Sequence, residues 1–167
     1  MSYDLYLLRA HEVGDDPAAA YERLEEAAEE EREATPEEVR QLLGLARDLQ
    51  AVNPGLDLTE TSGSFLQLGY ETEQPVVIDM SADEIRMAWS FGAEEAGPAL
   101  EQVRLYLPVF ERHGYVAYDP QLERLFDVDR DAAEAAGVHQ YVRGRMEETY
   151  GPLVAERRSW WSRLRGR

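Results

Sequence analysis

Carboxylates at Asp127, Asp129 and Asp131 recur at alternate positions, the opening spacing of a calcium-binding loop, which presents successive oxygens to a hard cation. The pattern then fails. Ala132 stands where the sharp turn of such a loop wants glycine, and Val138 where a bidentate glutamate should close it. A helix N-terminus decorated with acids, which the helix dipole favours, is the better reading. The same Asp127-Val128-Asp129 run has the form of the paired aspartates of phosphoryl-transferring enzymes, in which one attacks phosphorus and the other handles a proton. Nothing after it supplies a lysine or a glycine-rich phosphate cradle. Asp79, Asp83 and Glu84 lie near one turn, and Asp79 with Asp83 or Asp119 is the pair that a carboxylate-dependent enzyme would use as general acid and base. Among 34 acidic residues such neighbours arise by chance, so solvated acids are the expectation. His11, His113 and His139 are far apart and share no paired-ligand spacing; His113, just before Gly114, reads as a cation in the last turn of a helix. Ser62-Gly63-Ser64 is too short to wrap a phosphate. No catalytic residue, metal site or cofactor is expected.

The charge balance says more than these clusters do. Thirty-four acids stand against 17 basic residues, a net charge of -17, and every basic residue is an arginine. With neither lysine nor cysteine, Schiff-base catalysis, thiol catalysis, zinc-thiolate sites and disulfides are excluded. Abundant alanine, arginine and glutamate without lysine match the bias of a GC-rich bacterial genome. The opening Met1-Ser2-Tyr3-Asp4 lacks a basic leader, and no apolar run reaches the roughly 18 residues a membrane span needs, so a soluble cytoplasmic protein is expected. Its negative surface would repel nucleic acid and anionic membranes and attract basic proteins.

The elements that would position any site can be read from pattern and punctuation. Tyr3 to Leu8 reads as a first strand. Asp16-Pro17 opens a helix with Tyr21, Leu24, Ala27 and Ala28 as its apolar stripe and an acidic continuation from Glu25 to Glu33. Thr35-Pro36-Glu37-Glu38 is a capping box at the head of a second helix carrying Val39, Leu42, Leu43, Ala46 and Leu49, ended by Asn53-Pro54. Asp57 to Ser64 reads as a polar loop. Strands follow at Phe65 to Tyr70 and Val76 to Met80. From Ile85 to Phe91 the strict alternation of Ile85, Met87, Trp89 and Phe91 with polar or small residues marks a strand with one wet face, completing a three-stranded meander. Gly97-Pro98 opens a third helix with Leu100, Val103, Leu107 and Phe110 on one side, kinked near Pro108. Tyr115 to Tyr118 is a short strand that Leu122 to Phe126 continues after a turn, and Asp131 to Tyr150 is helical. The chain should fold as α+β, a mixed or antiparallel sheet of about five strands with helices on one face, in the order β-α-α-β-β-β-α-β-α.

Residues 1–154 are expected to form one domain and 155–167 a basic tail. From Glu156 to Arg167 the tail carries +4 against -21 for the rest, with Trp160, Trp161 and Leu164 forming an apolar ridge beside Arg163 and its fellow arginines. Charge complementarity points it at its own acidic body or at a second copy, a homodimer through the tail.

Tyr118-Asp119-Pro120-Gln121 after a helix ending in His113-Gly114, with Ser2-Tyr3-Asp4-Leu5 at the start, resembles a pattern of small bacterial proteins, some of them similar to immunity proteins of toxin systems. The resemblance spans the first 126 residues, leaves Asp127 onward outside it, and implies a non-enzymatic inhibitor that binds a basic toxin. The reading it joins is a protein-binding module whose acidic contacts are Glu25, Glu26, Glu29, Glu30 and Glu31, with Trp160, Trp161 and Arg163 in the tail. A small carboxylate-dependent enzyme and a self-associating structural protein are the alternatives.

Overall fold

A computed structural model describes residues 2–29, 34–62, 65–72, 74–93 and 95–151. Glu30, Glu31 and the tail residues Trp160, Trp161 and Arg163 lie outside the described residues. The first strand, β1 (Ser2–Arg9), alternates faces at every residue, burying Tyr3, Leu5 and Leu7 on one side and turning Asp4 and Tyr6 to the other. Four residues of helix, α1 (Ala10–Val13), lead into α2 (Pro17–Glu29), whose N-terminus is capped as expected by the Asp16 carboxylate accepting from Ala18 N–H at 2.9 Å. Helix α3 (Pro36–Val52) follows. Its capping box is complete: Glu38 N–H donates to Thr35 Oγ1 and Thr35 N–H donates to the Glu38 carboxylate. Replacing Thr35 with alanine should remove half of that exchange and lower stability by about 1 kcal/mol, read as a shifted urea midpoint at constant slope.

Strands β2 (Leu58–Ser62), β3 (Phe65–Leu68), β4 (Val77–Met80) and β5 (Ile85–Ser90) come next, then α4 (Gly97–Arg112), β6 (Tyr115–Asp119), β7 (Arg124–Leu125) and α5 (Val128–Tyr150). They build one sheet in the order β2-β3-β4-β5-β1-β6-β7, with every neighbouring pair antiparallel. The architecture is therefore α+β and the meander β3-β4-β5 is present. The expected count of about five strands is corrected to seven among the described residues, because the polar stretch read as a loop contains edge strand β2 and the chain after the Asp119 turn adds the two-residue β7. Helix α5 also begins earlier than expected, at Val128, because Asp127 is its cap and accepts from Asp129 N–H and Arg130 N–H.

A second correction concerns the helices, which cover both faces of the sheet rather than one. Leu42, Leu45, Ala46 and Leu49 of α3, Leu100, Val103, Leu107 and Phe110 of α4 and Ala135 of α5 join Tyr3, Leu5, Ile78, Met87 and Trp89 in the main core. The opposite face receives α1 and α2 through a smaller cluster of Leu8, Val13, Ala20 and Tyr118, flanked by Leu24, Val116 and Leu125. Of the apolar stripe expected on α2, Leu24 packs against this cluster and Tyr21 is 49% exposed, while the side chains of Ala27 and Ala28 lie outside those described. Helix α4 runs unbroken through Pro108, whose exposed position leaves the Arg104 carbonyl, deprived of its donor, within reach of water.

Candidate functional site

Strand register decides which polar side chains meet. Directly opposed residues of antiparallel strands share a face, so the pairs Tyr6↔Arg86, Arg86↔Asp79 and Asp79↔Gln67 carry one row of side chains across β1, β5, β4 and β3. Asp4 and Glu84 belong to the same face by the two-residue period. This is the face that α2 covers only over β1, β6 and β7, leaving the β3-β4-β5 half with no described helix seated on it. Hydrophobic burial on the far side holds the row in place, since Ile78, Met80, Met87 and Trp89 alternate with it and are fully or almost fully buried.

Within the row, Asp79 is the hub. Its carboxylate, 6% exposed, accepts from Arg86 Nη2 at 2.6 Å, Gln67 Nε2 at 3.0 Å and Tyr70 Oη at 3.2 Å. The Arg86 guanidinium also approaches Asp4 at 3.9 Å, and Ser2 Oγ donates to the same Asp4 oxygen at 2.9 Å. Burial lowers the readiness of Arg86 to hold its proton, but the hydrogen bond and charge of Asp79 outweigh that and fix it as a cation. Tyr70 is pushed up to about 12 by burial and then by Asp79, and Tyr6 is raised by burial and then by Asp4 and Glu84. Both phenols are therefore neutral hydrogen-bonding groups at physiological pH. Burial raises the Glu84 carboxyl as well, against the pull of Arg86. Three carboxylates thus surround one guanidinium, so acids outnumber the base within the row.

Helix α2 lies on the same side of the sheet as this row, over β1, β6 and β7. Glu25 and Glu26 are exposed there, and Glu25 stands against the Tyr21 hydroxyl, a contact that pushes the phenol's pKa up. Glu29 is the last residue of α2. Comparison with family models, with curated proteins and with solved structures finds no match to this chain. Its chemistry is therefore read from its own residues.

The other acidic and histidine clusters resolve differently. Asp79 and Asp119 lie on opposite faces of the sheet, so the fold does not bring that pair together: Asp119 is buried on the main-core side, accepting from Tyr3 Oη at 2.5 Å and from the N–H groups of Gln121 and Leu122. Asp83 stands in the β4–β5 turn. Asp127 and Asp129 decorate the start of α5 as the helix dipole favours, but Asp131 turns inward, wholly buried, and pairs with Arg130 and Arg124. Among the described residues no group of His, Cys, Asp and Glu side chains is arranged to hold a metal ion. His113 closes α4 and meets Asp48 of α3 at 2.7 Å, while His139 is buried with Nε2 against the Ser90 carbonyl at 3.1 Å. A recess of about 100 Å³ between α4 and β6, lined by Leu7, Leu107, Phe110, Tyr115 and Phe126, is well below the several hundred Å³ typical of small-molecule sites.

The amino-acid sequence alone points to the acids of α2 and does not single out Asp4, Tyr6, Gln67, Tyr70 or Arg86. Their alternation with buried neighbours is a usable signal for the wet face of each strand. Which strands lie side by side is not written there.

Proposed function

We propose that the chain is a non-enzymatic binding module that meets a basic protein through the polar half-face of its sheet, with the exposed acids of α2 alongside. The observation that carries this reading is the Asp4, Asp79 and Glu84 carboxylates gathered around the single guanidinium of Arg86, where β1 adjoins the β3-β4-β5 half of the face that has no described helix on it. The mechanism is electrostatic steering followed by occlusion: such fields raise association rates by roughly tenfold to a thousandfold at low salt and lose that advantage as salt screens them. An inhibitor of a basic toxin, as the resemblance of the Ser2–Leu5 and Tyr118–Gln121 segments to immunity proteins implies, would act in this way. No helix is long and apolar enough to cross a membrane among the described residues. We place the activity in the bacterial cytoplasm.

Affinity capture from lysate of the source cell, at low and high salt, with wild type and with Asp4→Asn/Glu84→Gln side by side, tests the proposal. The expected result is a basic protein recovered by the wild type at low salt and reduced at least tenfold by either added salt or the double substitution. Equal recovery by both forms would contradict it.

A further inference from the structure

The polar half-face has an electrostatic complement within the same chain, and the following inference rests on reading that face as a binding surface. We propose that the C-terminal segment 152–167 lies across the polar half-face of its own sheet and occupies it until a partner arrives. Three observations carry the assignment. The first is charge. The segment holds five arginines and one glutamate, whereas the face gathers three carboxylates around one arginine. The second is side-chain type. Tyr6 and Tyr70, both half-buried, offer ring faces on which arginine or the Trp160 and Trp161 rings can stack.

The third is reach. Helix α5 is fastened beside the Ser2↔Ser90 end of the sheet, where His139 meets the Ser90 carbonyl and Arg143 donates to the Ala93 carbonyl, and it ends at Tyr150. The sixteen residues after Gly151 span about 50 Å when extended, more than the roughly 30 Å width of a seven-stranded sheet, so they can round the sheet and lie along its other face. Tethering makes the contact intramolecular at an effective concentration near the millimolar range, enough to populate it through contacts that are individually weak. A basic partner would then bind by displacing the segment, which raises the threshold against nonspecific cations and leaves the face covered when the partner is absent.

The chain has no cysteine, so a Ser162→Cys substitution in the full-length protein places a single nitroxide label in the segment while keeping all five arginines. Paramagnetic broadening of NMR signals is then measured without any partner, at low and high salt and over a range of dilutions. The expected result is strong broadening of the Tyr6, Gln67 and Tyr70 side-chain signals with sparing of α3 and α4. That broadening should be independent of dilution, reversed by salt and weakened in an Asp4→Asn/Glu84→Gln background. Broadening centred on α3 or α4, or none above background, would overturn the proposal. So would broadening that appears only between labelled and unlabelled copies in a mixture, which would make a second molecule the occupant. Because no partner is present, failure here leaves the capture experiment standing, and an empty capture leaves this contact measurable.

Discussion

Replacing Arg86 with methionine is expected to destabilise the protein by about 2–3 kcal/mol at neutral pH, a large effect for a residue whose side chain is one-third exposed. The cost comes from what is left behind. Asp79 is almost fully buried, and without the guanidinium its charge keeps only the neutral donors Gln67 and Tyr70, with Asp4 and Glu84 nearby. Severing a fully buried pair costs about 3–5 kcal/mol, and the solvent around Arg86 reduces that. If burial of an orphaned carboxylate is the cause, Asp79→Asn should relieve it, so the double variant Asp79→Asn/Arg86→Met should be less destabilised than the sum of the two single changes. Urea denaturation of the four forms of the cycle measures this. Strict additivity would show that the two side chains do not depend on each other.

The second large effect is expected at two buried aspartates, Asp131 at the start of α5 and Asp119 at the end of β6, which should give opposite pH dependences. Hydrogen bonds from Arg130 hold the Asp131 carboxyl below the usual range, against the effect of burial and with help from Asp127 N–H and Arg124. A depressed carboxyl contributes stability above its unfolded value, about 3.9, and loses it as pH falls through the folded value. Asp131→Asn should therefore cost about 2 kcal/mol at pH 7, and the deficit should shrink on acidification. Asp119 is raised instead, by burial, even though Tyr3, Leu122 and Gln121 donate to it. A raised carboxyl contributes stability that is present below the unfolded value and is lost as pH rises through the folded one, so Asp119→Asn should be more costly near pH 3 than at pH 7. Urea midpoints collected from pH 3 to 7 for wild type and both variants would reveal the crossing trends. Parallel profiles would contradict the assignment of the two environments.

Helix beginnings are legible in the sequence because capping is local chemistry. Thr35, Pro36 and Glu38 sit within four residues, and Asp16-Pro17 is a dipeptide signal, so neither needs the rest of the fold. Strand β5 is legible for a related reason: its large apolar residues Ile85, Met87 and Trp89 alternate with Arg86 and the small Ala88. Strand β2 is not, because it is an edge strand carrying Thr59, Glu60, Thr61 and Ser62, polar residues that suit an edge and read as a loop when seen alone. The two-faced placement of helices is hidden because, among the described side chains, the contact of α2 with the sheet rests on Ala20 and Leu24, too little apolar surface to announce which face it covers. The polar row is hidden for a different reason. Asp4, Gln67, Asp79 and Arg86 come from four strands, and only the register joins them.

That row is where a cationic partner is proposed to land. Titration of the isotopically labelled full-length protein with an octa-arginine peptide, followed by backbone and side-chain NMR shifts at low salt, tests this most directly. The predicted result is a set of shifts confined to Ser2, Asp4, Tyr6, Gln67, Tyr70, Glu84, Arg86 and the exposed acids of α2, abolished by salt. Shifts centred on α3 and α4, or spread evenly over the acidic surface, would contradict it.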